Sequence, residues 1–138
     1  MAKVNIKIEG IPYQVDAGLT ILEAAKQCGR GRVPAVTSCV DFETMLEEAG
    51  KADIPIFCYE GEGTLPLGRL IRERTAAVGR KDLKISIVVG PEGGFSDSEV
   101  NAAKAHGLLP AGLGKRILRT ETASGFVLSA LVYEFELE

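Results

Sequence analysis

Residues 85–123 read ISIVVGPEGGFSDSEVNAAKAHGLLPAGLGKRILRTETA. Ile85 to Val89 is a β-branched run of the kind that forms a buried strand. Gly90-Pro91-Glu92-Gly93-Gly94 follows at once, a sharp loop whose backbone lies open to close approach by a ligand. Ser96 and Glu99 have the spacing of a capping box, which predicts a helix from about Ser96. A short apolar segment, Leu108 to Leu113, runs into a second glycine loop, Gly112-Leu113-Gly114. The cations Lys115, Arg116 and Arg119 come next, and Thr120-Glu121-Thr122-Ala123 opens a last helix with hydroxyls and an acid at its start.

Two glycine loops, each after a short strand and before a helix, point to a ligand crevice at the carboxyl edge of a parallel sheet. The alternative is that the glycines only turn the chain. The first loop is no P-loop, because no Gly-Lys-Ser/Thr follows, and it is no GxGxxG fingerprint.

GPEGGFSDSEV and LGKRILRTETA together resemble the 16S ribosomal RNA (uracil-N3)-methyltransferases of the RsmE family. The similarity runs from about Ala25 to the C-terminus. It implies an α/β fold of the SPOUT class, a largely parallel sheet with helices on both faces and a C-terminal trefoil knot. It implies S-adenosylmethionine as cofactor, no metal, a homodimer and ribosomal RNA as substrate. The cofactor-lining residues it implies are Gly61, Gly90, Gly93, Gly94, Leu113, Gly114, Ile117 and Leu118. For charge developing on uracil N3, the candidates are Arg119 first and Arg116 second. Glu121 is positioned in the motif to orient the arginine or accept a proton, or simply to sit as a helix N-terminal charge. Glu92 is a weaker candidate, for shaping its loop.

Composition sets the outer limits. A chain of 138 residues with 46% hydrophobic content is large enough for one true core. Net charge is −3, so any RNA contact must use a local patch and is expected to be weak. No apolar run approaches membrane-spanning length and no signal peptide is visible, which reads as cytoplasmic. Cys28, Cys39 and Cys58 are widely spaced and form no metal pattern with His106, so they read as reduced, partly buried thiols.

Residues 3–16 alternate apolar and polar, predicting a β-hairpin that turns near Glu9-Gly10. Residues 19–28 carry a helical pattern, stopped by Gly29. This hairpin and helix resemble the opening of a plant-type [2Fe–2S] ferredoxin domain. The cysteine run such a domain needs is absent from residues 31–39, so no cluster is expected. The two resemblances meet within residues 23–30. The chain therefore reads as chimera-like: residues 1–28 a ferredoxin-like hairpin and helix packed into the same domain, and residues 25–138 a shortened SPOUT segment. The PUA-like RNA-binding domain of the RsmE family and the opening βα portion of its knotted domain are not recognisable.

Between these ends, Asp41 caps a helix from Phe42 to Ala49, and Ile54 to Tyr59 is a strand. Residues 60–63 form another glycine loop, and Leu67 to Val78 is a helix carrying Arg69, Arg72 and Arg74. Those arginines, like Arg30 and Arg32, read as solvated charge, with phosphate contact as the alternative. The last helix, about Glu121 to Phe135, is apolar along Phe126, Val127, Ala130, Leu131 and Tyr133, and must bury against the sheet or a second subunit. Three functions follow: an RNA methyltransferase, a cofactor-binding but catalytically impaired chimera, or, least favoured, an iron–sulfur electron carrier.

Overall fold

The structure, a computed structural model, describes the strands Lys3–Ile8 and Ile11–Asp16 and all of residues 35–137. The chain divides into two compact units, Met1–Cys39 and Val40–Glu138. The predicted helix over 19–28, its Gly29 stop, Arg30, Arg32 and Cys28 lie outside the described residues.

In the first unit, β1 (Lys3–Ile8) pairs antiparallel with β2 (Ile11–Asp16). The register sets Val4 opposite Val15, Ile6 opposite Tyr13 and Ile8 opposite Ile11, so the apolar positions of the two strands meet. That is the pairing the alternation requires.

The second unit contains, in order, α1 (Phe42–Gly50), β3 (Ile54–Cys58), β4 (Leu65–Pro66), α2 (Leu67–Val78), β5 (Ile85–Val88), α3 (Asp97–Ala105), β6 (Leu109–Gly112) and α4 (Thr120–Glu136). Its four strands are all parallel, in the order β4-β6-β3-β5. Strand β3 sorts the core by its period of two. Ile54 and Ile56 join Leu67, Leu70 and Ile71 of α2 and Val127 and Leu131 of α4 in one buried cluster. Phe57 points the other way, into a cluster with Leu46 of α1 and Val100 and Ala103 of α3. The expected helices on both faces are therefore observed.

Pro55 of β3 and Pro110 of β6 sit where the sheet does not need their missing N–H. Ile54 N–H donates to Lys84 of the β5 side and Tyr59 N–H to Ala111 of β6. Alternation then turns Pro55 toward the β6 side, one residue before the β6 pairing begins at Ile56. In the same way Pro110 faces the β4 side, one residue before β4 begins to pair at Ala111.

Local chemistry sets the helix starts. Asp41 Oδ1 accepts from Thr44 N–H at 2.7 Å, and this bond holds its carboxyl below the ordinary aspartate range. Ser96 and Glu99 complete the capping box in both directions, with Ser96 N–H donating to Glu99 Oε2 at 2.7 Å. At the opposite edge of the sheet from the loops discussed below, Asp53 binds Lys84 twice: its N–H donates to the Lys84 carbonyl at 2.9 Å and its Oδ2 accepts from the Lys84 N–H at 2.8 Å. Strand β4 was not foreseen; the sequence reading placed a glycine loop at residues 60–63 and assigned no element to 64–66.

Phe57 is fully buried between α1, α3 and the Phe95 ring. Phe57→Ala is expected to lower the unfolding free energy by about 3–5 kcal/mol. Urea titration followed by far-UV circular dichroism measures it, and a loss below about 1 kcal/mol would contradict this account of the core.

Candidate functional site

The parallel order brings the carboxyl ends of β6, β3 and β5 to one edge, and a cleft of about 540 Å³ opens there. That volume lies within the range of small-molecule sites, roughly 300–1,000 Å³. Three chain segments wall it: residues 58–60 at the carboxyl end of β3, the loop after β5 as far as Phe95, and the segment after β6 that leads into the first turn of α4.

The sequence-predicted residues divide. Gly90, Gly94, Leu113, Ile117 and Leu118 line the cleft, and so does Arg119. Gly61, Gly93 and Gly114 belong to the same loops but are not part of the lining. Arg116 and Glu121, both exposed, also lie outside it. Helix geometry explains the split at Glu121. Thr120 and Ala123 are three apart and share a face, whereas Glu121 is turned by about 100°. Glu92, read as a loop-shaping residue, lines the cleft, as does Glu60. Sequence reasoning missed Phe95 and Thr120. No local signal marks Phe95, and Thr120 read only as a helix start.

The glycines differ in what they permit. A Cβ on Gly90 would lie 2.7 Å from Phe95 Cε2, so this position accepts no side chain while the ring stays in place. A Cβ on Gly61 would collide with the Tyr59 ring. Gly93 and Gly94 face open space, but Gly94 has φ +73, which disfavours a side chain for a different reason. Phe95 in turn stacks on Phe57 with ring centroids 4.3 Å apart and on Phe42 at 6.2 Å. The first glycine loop is thus fastened to the core through one aromatic ring.

Thr120 Oγ1 donates to the Gly90 carbonyl at 3.0 Å and joins the first glycine loop to the start of α4. Gly94 N–H donates to the Pro91 carbonyl at 2.9 Å and closes the turn within that loop. Ile117 lines the cleft while 87% exposed, so it forms an outer lip. Cys58 forms part of the inner wall, and burial pushes its thiol up to about 11. Cys39, expected to be partly buried, is exposed. Among the described residues, no group of three His, Cys, Asp or Glu side chains is placed to hold a metal.

Two of the three arginines of α2 are engaged. Arg69 Nε donates to Glu73 at 2.6 Å, and Arg74 Nη2 donates to the Asp53 carbonyl at 3.0 Å. The glutamate bond raises the Arg69 pKa. Lys115, Arg116 and Arg119 carry no ion pair among the described residues. No described helix is long and apolar enough to cross a membrane.

Comparison with known proteins matches residues 17–132 to the family described as RNA methyltransferase domain. The match starts ahead of Ala25, where the motif resemblance was read to begin. Ribosomal RNA small subunit methyltransferase E of Bacillus subtilis (strain 168) is 36% identical over 118 residues, covering 83% of this chain and 44% of that protein. The protein of the same name from Synechocystis is 32% identical over 112 residues, covering 80% and 35%. Among solved structures, a ribosomal RNA small subunit methyltransferase E from Neisseria gonorrhoeae bound to S-adenosyl methionine superposes with a TM-score of 0.67 at 28% identity, covering 83% of this chain and 43% of that one. A methyltransferase from Legionella pneumophila in complex with the same cofactor gives 0.66 at 32% identity, with the same coverage. The chain spans less than half the length of these relatives.

Two outcomes test this geometry. Gly90→Ala is expected to cost about 1–3 kcal/mol of stability by displacing Phe95, whereas Gly93→Ala stays within about 0.5 kcal/mol of the parent in urea. Equal stability of the two variants would remove the contact argued here. The second outcome concerns the thiols. Because Cys58 keeps its proton until about pH 11, little thiolate forms there at pH 8, and iodoacetamide should modify exposed Cys39 first. Peptide mass mapping over time reads the order.

Proposed function

Because the chain belongs to the RNA methyltransferase domain family, we propose that the three-loop cleft binds S-adenosylmethionine and that the protein methylates N3 of a uracil in ribosomal RNA. The observation that carries this reading is the cleft itself: about 540 Å³ at the carboxyl ends of adjacent parallel strands, walled by two glycine loops. Its chemistry suits a nucleoside with a charged tail. Val89, Leu113 and Leu118 supply apolar wall, the bare loop backbone supplies hydrogen-bonding groups, and Glu60 and Glu92 supply negative charge.

S-adenosylmethionine supplies an electrophilic methyl on a sulfonium, and no metal is required. The residues of this chain must hold the reactants in line and exclude water. Uracil N3 carries a proton, and negative charge grows there as it is lost. Arg119, in the cleft wall, is the cation placed to stabilise that charge. Arg116 and Glu121, outside the lining, take secondary parts in RNA contact and helix-end charge.

Further parts of the reading rest on separate observations. The loops after β5 and β6 are read as strands of a trefoil knot, supported by the insertion of β6 between β3 and β4 and by the Thr120–Gly90 bond. A homodimer is supported by Phe126, Val132 and Tyr133, which leave α4 with an exposed apolar surface. A cytoplasmic location accords with a ribosomal RNA substrate. Residues 1–28 are read as a ferredoxin-like unit on the strength of the β1–β2 pairing and of the resemblance, and residues 25–138 as the SPOUT segment.

A second reading, cofactor binding with impaired turnover, is favoured by charge. The net charge is −3, and Arg69 and Arg74 are already bonded within the fold. RNA affinity rests on summed phosphate contacts, so the grip of these residues on RNA is expected to be weak.

Calorimetry with S-adenosylmethionine and a filter assay with tritiated cofactor and small-subunit particles test both readings. Expected are saturable binding and slow methyl transfer, with Arg119→Ala reducing transfer by about a hundredfold and leaving cofactor affinity within about threefold. Binding without any transfer selects the second reading, and no binding overturns both.

A further inference from the structure

We infer that Thr120 is a positioning residue: its hydroxyl sets the shape of the first glycine loop and thereby the loop's affinity for the cofactor. The inference rests on the cofactor reading given above, but its first test does not need the cofactor.

The argument begins with the Gly90–Pro91 peptide. Proline has no N–H, so this peptide offers an acceptor and no donor. Its one hydrogen-bonding group, the Gly90 carbonyl, is taken by Thr120 Oγ1 at 3.0 Å, in a partly buried setting. The peptide plane is therefore oriented from α4, thirty residues further along the chain. On its other side the Gly90 Cα lies under the Phe95 ring, where even a methyl group would come within 2.7 Å. Gly90 is held between a ring fastened to the core and a hydroxyl fastened to a helix.

The consequence passes along the loop. Because the proline ring locks φ, the Gly90–Pro91 plane fixes where the Pro91 carbonyl carbon sits, and its oxygen accepts from Gly94 N–H at 2.9 Å to close the turn. Gly90, Pro91 and Gly94 all line the cleft. Without the Thr120 hydroxyl, the Gly90 carbonyl has no partner and the peptide is free to turn toward the cleft, exposing an acceptor where the ligand must fit. Thr120 is the first residue of α4, and its hydroxyl bonds the Gly90 carbonyl, while the helix start carries no side-chain cap.

The test compares the full chain with Thr120→Val, which keeps the shape and loses the donor, and Thr120→Ser, which keeps the donor. Hydrogen exchange at the Gly94 amide, without ligand, should be about three- to tenfold faster in Thr120→Val and return toward the parent rate in Thr120→Ser. Calorimetry should show a matching three- to tenfold loss of S-adenosylmethionine affinity, about the worth of one hydrogen bond, again restored by serine. Parent-like exchange at Gly94 in Thr120→Val overturns the inference, whether or not the parent binds the cofactor. Faster exchange that serine does not restore also overturns it, since the effect is then one of packing. If the parent does not bind S-adenosylmethionine and exchange still responds to the hydroxyl, the positioning role stands and the cofactor reading fails.

Discussion

The period-two alternation of β3 is the constraint on which the second unit depends. One strand of five residues must serve two cores, and it does so because Ile54 and Ile56 face α2 and α4 while Phe57 faces α1 and α3. A shift of one residue would exchange the faces and strand each helix pair against the wrong side chains. The same strand sets the site, since its last residue, Cys58, and Tyr59 just beyond it carry the alternation to the carboxyl end of the sheet. Cys58 packs with the α2/α4 cluster and Tyr59 with the α1/α3 cluster, and both also line the cleft. Core and cleft are therefore one continuous surface, which is why the Phe57–Phe95 contact matters to the first glycine loop.

Charge is arranged with comparable consistency. Several cations are used to secure the fold: Arg74 on the Asp53 carbonyl, Arg80 on the Glu134 carbonyl and over the Phe135 ring at 5.2 Å. Arg80 thereby ties the loop after α2 to the C-terminal turn of α4. Exposed pairs such as Lys51–Glu48 and Arg69–Glu73 add little stability, but they remove those cations from service elsewhere. Among the described cations without an ion pair, Lys115, Arg116 and Arg119 form a run after β6, and Arg119 lines the cleft. An acidic protein can still attract an anionic substrate to one point, because exposed charges act over about a Debye length, roughly 8–10 Å, rather than through the net charge.

What was legible in the sequence was local. Asp41 and Ser96 announced their helices because a cap is a contact between residues three apart. The hairpin and the strands at 54 and 85 were legible from alternation and β-branching. Strand β4 was not, because two residues, Leu65-Pro66, carry no period, and their strand exists only because β6 lies alongside. The site followed the same rule. Its loops were legible as glycine runs, and the family motifs named Arg119. Which residue of α4 faces the cleft depends on the helix phase at Thr120, and this turns Glu121 away, whereas Arg116 falls outside the lining in the irregular segment before the helix. The bond from Thr120 to Gly90 crosses thirty residues, and no spacing rule reaches so far.

The glycine loops after β5 and β3 also show why backbone recognition needs external support. A loop that binds through its own peptide groups has few side chains with which to brace itself, and glycine makes it softer still. Rigidity must then come from neighbours. Gly90 receives it from the Phe95 ring and the Thr120 hydroxyl, and Gly61 from the ring of Tyr59. In each case the glycine is required by the very group that restrains it, since a Cβ would collide with the ring. The absence of a side chain is thus what lets the brace approach, and the flexibility it would otherwise bring is removed by that same contact.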